Sequence, residues 1–173
     1  LWRRFAAARD AFGKRRGPEL KAQLVRAAVA ATEAVRDVDP SARICWCEPI
    51  IHIAADPDHP EDAPAAENYR QAQFQAWDMI AGRLCPELGG RPEYLDILGV
   101  NYYSNNQWIH QDPNLPPSRR RKDTLLPPSH PLHRPIRQML REVYDRYQRP
   151  VFIAETGIEG DARPAWLRYL GQE

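Results

Sequence analysis

The chain has 173 residues, with 24 Lys and Arg against 23 Asp and Glu. That length allows one medium domain with a real core. The even charge balance excludes a global field for nucleic acid or an anionic membrane, and no stretch reaches the roughly 20 apolar residues of a membrane span. The basic run Arg119-Arg120-Arg121-Lys122 is read as a solvated loop segment rather than a phosphate contact.

Leu1 to Phe12 is predicted helical, with Trp2, Phe5 and Phe12 among its apolar positions. It has no initiator Met and no apolar signal core, so an internal piece of a longer protein is expected. After a basic break, Pro18 opens a long Ala-rich helix from Glu19 to Val38. Leu20, Leu24, Ala28, Ala31, Val35 and Val38 form its expected apolar face.

Arg43 to Ala54 is a strand candidate broken at Pro49. It carries Cys45 and Cys47, two of three cysteines; they share a face and are expected to be small buried thiols. The odd count argues against a disulfide framework and favours a cytoplasmic location. A second helix is predicted over Ala65–Leu84, with Trp77 in its core, then a strand over Tyr94–Tyr103. Residues 104 to 131 read as one long Pro-rich loop, a kind often functional. Ile136 to Tyr147 fits the helical template, Val151 to Glu155 is a short apolar strand, and Arg163 to Leu170 is a last helix with Trp166 in the core.

Strands alternating with helices predict a parallel sheet covered on both sides. No dinucleotide or phosphate-loop motif is present. Each strand ends in polar groups: Glu48, Asn101 with Tyr103, and Glu155. Ligands of parallel α/β folds bind at such ends. Alternation puts Val151, Ile153 and Glu155 on one side, and Ile44, Trp46 and Glu48 on one side. Glu48, Asn101, Tyr103 and Glu155 then form an expected inward set suited to sugar hydroxyls.

Asp96-Ile97-Leu98-Gly99-Val100-Asn101-Tyr102-Tyr103-Ser104 resembles the sixth-strand motif of family 1 glycoside hydrolases, the β-glucosidase type. Phe152-Ile153-Ala154-Glu155-Thr156-Gly157 is similar to the seventh-strand I-T-E-N-G of that family, with Ala154 and Thr156 in place of Thr and Asn. The resemblance covers roughly residues 40 to 172. It implies a single partial (β/α)8 barrel domain over residues 1–173, about strands five to seven. It also implies retaining hydrolysis of β-glycosides, with Glu155 as nucleophile, Tyr103 as its hydrogen-bond partner and Asn101 in the same subsite.

The family's N-E-P acid/base motif is absent; Cys47-Glu48-Pro49 keeps only the E-P, at the place of the fifth strand. The expected fragment lacks the first four strands and the eighth, and the acid/base group lies outside it. Glu48 is read as structural or substrate-binding, Trp108 as a residue that packs under the loop or stacks on a sugar, and Trp46 as barrel filling or subsite. A carbohydrate is the expected partner, with no cofactor, metal, nucleic acid or membrane; the sequence sets no oligomeric state. Two other readings stand beside this one: a non-catalytic sugar-binding or remnant barrel, and a metal-dependent α/β hydrolase using His52, His59 and Glu61. The five histidines, which also include His110, His130 and His133, are otherwise read as water-exposed loop residues.

Overall fold

The structure, a computed structural model, describes residues 17–111, 118 and 124–173. The predicted helix Leu1–Phe12 and the basic run 119–122 lie outside the described residues. Contacts group the chain into two compact units, one reaching to Ile44 and resuming over Gln75–Leu95, the other made of Cys45–Phe74 and Asp96–Glu173.

In the first unit, helix α1 runs over Gly17–Val38. It buries Val25, Val29 and Thr32, a stripe at i, i+4 and i+7. This corrects the expected face: Leu20, Leu24, Val35 and Val38 are exposed, Val38 at 88 %. An Ala-rich helix offers more than one weak apolar stripe, and packing selects between them. Val29 Cγ1 lies at an ordinary contact distance, 3.6 Å, from where a Cβ on Gly89 would stand. Tyr94 anchors the same helix by donating its hydroxyl to Glu33 Oε1 at 2.5 Å.

The helix predicted over Ala65–Leu84 is three pieces. Helix α2 spans Ala63–Gln71 and belongs to the second unit, as does a tight 3-10 turn over Ala72–Phe74. Helix α3 spans Gln75–Ile80 in the first unit and buries Trp77 and Ile80.

The second unit holds a three-stranded parallel sheet. Strand β1 is Cys45–Pro49, β3 is Ile97–Tyr103 and β5 is Val151–Gly157, in the order β1-β3-β5. Pro49 cannot donate to a ladder, and β1 is an edge strand, where proline is tolerated. Two further strands, β2 (His52–Ala54) and β4 (Gln107–Ile109), pair parallel to each other in a second small sheet. The single strand expected over Arg43–Ala54 therefore divides between two sheets. The long loop expected from residue 104 contains β4, and Trp108 makes an antiparallel bridge with Leu125.

Helix α4 covers Ile136–Tyr147, as predicted, and buries Ile136, Met139, Val143 and Tyr147. Helix α5 covers Arg163–Gln172 and buries Trp166. One face of the three-stranded sheet packs under these helices: Leu98 and Val100 have no exposure and Tyr102 has 1 %. Trp166 stacks on Tyr102 with centroids 5.6 Å apart and donates its indole N–H to Thr156 Oγ1 at 2.9 Å. An ion network joins α2 to α4: Arg70 bonds both oxygens of Glu142, at 2.8 and 3.0 Å, and both oxygens of Glu67.

Buried polar groups must find partners. Gln107, 1 % exposed, has all of its own satisfied: its amide nitrogen donates to Tyr102 Oη (2.7 Å) and Arg134 O (2.8 Å), and its Oε1 accepts from Arg134 N (2.9 Å). Burial pushes the Tyr102 phenol above the usual tyrosine range, so it stays a neutral member of the network. His133 bridges Leu126 O and Tyr169 Oη, each at 2.8 Å. His110 is 8 % exposed; its backbone N–H donates to Ala54 O, while its ring Nδ1 is buried without a partner among the described residues. These two histidines are thus built into the second unit, which corrects their reading as water-exposed; the loop folds back as β4 instead of staying in solvent.

Replacing Gln107 with Ala strands both backbone groups of Arg134, while the Tyr102 hydroxyl keeps its bond with Tyr169. At about 1–3 kcal/mol for each uncompensated group, the variant should lose roughly 2–6 kcal/mol. Urea unfolding of Gln107→Ala measures this; an unchanged midpoint would mean that the network contributes nothing.

Candidate functional site

The register assigns each side chain to a face. Cys45, Cys47 and Pro49 pair with Ile97, Gly99 and Asn101, while Trp46 and Glu48 pair with Leu98 and Val100. Paired residues of parallel strands share a face. Trp46 and Glu48 therefore lie on the side of buried Leu98 and Val100. Cys45, Cys47, Asn101 and Tyr103 lie on the opposite, open side. Glu48 does not join the expected inward set, and Trp46 does not line the open side; the placement of both is corrected. Alternation within β1 holds, but its phase against β3 could only come from the pairing.

Strand β5 has a bulge. Ile153 pairs with Val100, but Glu155, not Ala154, pairs with Asn101. Ala154 is the extra residue. Without it, Glu155 would face the helices together with Val151 and Ile153, as simple alternation predicts. The bulge turns Glu155 over to the open side, next to Asn101 and Tyr103. Thr156 confirms the phase, since its hydroxyl faces α5. The expectation that Val151, Ile153 and Glu155 share one side is thus corrected, and the one residue of the three with polar chemistry is the one re-aimed.

On the open side, Tyr103 donates its hydroxyl to Glu155 Oε2 at 2.8 Å. The bond holds the Tyr103 phenol above the usual tyrosine range, because ionising it would oppose a carboxylate. Asn106 braces this end of the sheet. It is 7 % exposed; its Oδ1 accepts from Tyr103 N at 3.1 Å and its Nδ2 donates to Ile50 O at 2.7 Å. It thereby ties the carboxyl end of β3 to the segment after β1. Neither Asn106 nor Ala154 stood out in the sequence: one is a polar residue in a turn, the other an alanine in an apolar run.

Asn101 Oδ1 is buried and has no partner among the described residues. A buried carbonyl oxygen without a partner is an exception that calls for an explanation. Gly99 is required by crowding. A Cβ there would stand 2.6 Å from Cys47 Sγ, 2.9 Å from Ala154 Cβ and 3.2 Å from Cys45 Sγ. Cys45 and Cys47 are exposed free thiols, not the buried ones expected, because the face they share is the open one.

Trp108 meets Tyr69 of α2 edge-on at 6.0 Å, which favours the packing alternative for it. His59 pairs with Glu61 at the surface at 3.1 Å, and His52 Nδ1 is buried without a partner among the described residues. Among the described residues, no group of three or more His, Cys, Asp or Glu side chains is arranged to hold a metal, so His52, His59 and Glu61 do not form the alternative metal centre. No described helix is long and apolar enough to cross a membrane.

Neither protein-family models nor curated protein sequences match the chain. Among solved structures, a hyperthermophilic β-glucosidase mutant that forms a dodecamer in its crystal is similar to it, with a TM-score of 0.63 and 16 % identity. The alignment covers 92 % of this chain and 37 % of the β-glucosidase chain. At that identity the likeness is one of fold. The chain is an α/β protein with parallel sheets, matching part of a TIM-barrel glycosidase, and no closed barrel forms among the described residues.

Two variants probe the site. Glu155→Gln should lower the Tyr103 titration towards the ordinary tyrosine value of about 10, read from phenolate absorption. The sign follows from the raised phenol: its contribution to stability is complete below the ordinary tyrosine pKa and fades as pH rises through the folded-state value. An unchanged titration in the variant would show that the bond does not form in solution. Gly99→Ala should cost roughly 1–3 kcal/mol, since a thiol and the bulge must both yield; thermal unfolding checks it.

Proposed function

We propose that this chain carries the nucleophile half of a retaining glycoside hydrolase of the β-glucosidase type. The observation that carries this reading is the 2.8 Å bond from Tyr103 to Glu155, which joins two motifs 52 residues apart on one open face. Tyr103 ends β3 and Glu155 lies two residues before the end of β5, in the region where parallel α/β proteins place their ligands.

The geometry suits attack at an anomeric carbon. Tyr103 donates to Oε2, so the carboxylate is held in one orientation and Oε1 is presented. A charge-assisted bond of this kind is stronger than a neutral one. In retaining hydrolysis the carboxylate forms an ester bond to the sugar as the glycosidic C–O bond breaks. A second carboxylic acid, roughly 5–5.5 Å away, protonates the departing oxygen and then draws a proton from the water that cleaves the ester. Glu48 faces the helices and is not offered for that part. Asn101 Oδ1 would accept from a sugar hydroxyl in the same subsite.

A second reading, sugar binding without turnover, draws on the same face and on the missing N-E-P motif. The two are distinguished by a 2-deoxy-2-fluoro-β-glycoside bearing an activated leaving group, which traps the ester intermediate of a retaining enzyme. Incubated with the whole protein and with this chain, it should label Glu155, as read by peptide mass spectrometry. Glu155→Gln should abolish labelling, and Tyr103→Phe should slow it by about 10²-fold or more, the scale set by loss of one positioned catalytic hydrogen bond. Label on another carboxylate would overturn the assignment; no label in the whole protein with any common sugar would favour the binding reading.

A further inference from the structure

Cys45 and Cys47 are outside the glycosidase reading, and they are well placed for different chemistry. Alternate residues of a strand project from the same face, so a C-x-C sequence on a strand is a preset pair of sulfurs. Here both thiols are free and exposed, and their sulfurs are 3.8 Å apart. Two thiolates bound to one tetrahedral ion at a metal–sulfur distance of about 2.3 Å stand about 3.8 Å apart. The pair therefore already has the separation that such an ion imposes.

Gly99, on the neighbouring, hydrogen-bonded strand, lies directly beneath the pair: a Cβ there would stand 2.6 Å from Cys47 Sγ and 3.2 Å from Cys45 Sγ. The sulfurs therefore sit close over a glycine backbone, and their other side is exposed. The negative charges of Glu155 and Glu48 act on Cys47 and favour a cation beside it.

We propose that Cys45 and Cys47 form a two-sulfur site for a thiophilic d10 cation of the zinc group on the open face of the sheet, over Gly99. Each thiol gives up its proton to solvent as its sulfur binds the ion. The remaining coordination positions are left to water, since no third His, Cys, Asp or Glu side chain joins the pair among the described residues. The ion is rigidly presented because both ligands come from one strand. The site does not depend on Glu155 acting as a nucleophile.

The test is titration of the fully reduced 173-residue chain with Cd2+. Thiolate-to-metal charge-transfer absorption should rise and saturate at one ion per chain. Cys45→Ser and Cys47→Ser should each weaken apparent binding at least tenfold, while Cys85→Ser should leave it unchanged. Without any variant, Cd2+ should slow iodoacetamide alkylation of Cys45 and Cys47 at least tenfold and spare Cys85 from protection. The proposal is overturned if no saturable band appears, if the band survives in the Cys45→Ser/Cys47→Ser double variant, if it depends on Cys85, or if Cd2+ protects neither thiol of the pair.

Discussion

One extra residue in β5 decides what the open face of the sheet can do. A parallel ladder fixes side-chain direction by parity, so the insertion of Ala154 reverses every residue after it. Before the bulge, Val151 and Ile153 serve the buried side. After it, Glu155 reaches Tyr103 and Asn101, while Thr156 reaches Trp166. A regular strand of the same composition would bury a carboxylate under the helices, where it would have to be neutralised or paired at high cost.

The bulge is held from both sides. On the open side, Ala154 packs where only a glycine can stand opposite, and that glycine is flanked by the two thiols of β1. On the helix side, Tyr102 is clamped between the Trp166 ring and the amide of Gln107. Gln107 belongs to β4, which folds back within the expected loop. The segment after β3 thus supports the strand it follows: Asn106 fixes the Tyr103 backbone and Gln107 fixes the Tyr102 hydroxyl. Consecutive tyrosines point to opposite faces, and consecutive side chains of the next turn secure each of them.

The open face collects three kinds of polar chemistry within three strands: a carboxylate tied to a phenol, an unpaired amide oxygen, and a pair of thiols. The first two belong to the proposed sugar site near the strand ends. The thiols lie further back along β1, level with Ile97 and Gly99. Their separation along the strand is why the two proposals can be tested independently.

Much of the fold was legible in the sequence. The twelve residues from Ile136 to Tyr147 are apolar at helical spacing and form a helix with the predicted limits, because one strong stripe meets one face. The apolar runs ending in Asn101-Tyr102-Tyr103 and Ala154-Glu155 name two parallel strands, and local composition sufficed for that. What only the tertiary structure decided was phase. Which stripe of α1 is buried depends on what packs against it, and Val25, Val29 and Thr32 are buried where Leu20 and Leu24 are not. Which face carries Glu48 depends on the register of β1 against β3, and which face carries Glu155 depends on one unpaired alanine. Residue identity tells a strand that it alternates; only hydrogen bonds to its neighbour tell it where the alternation starts.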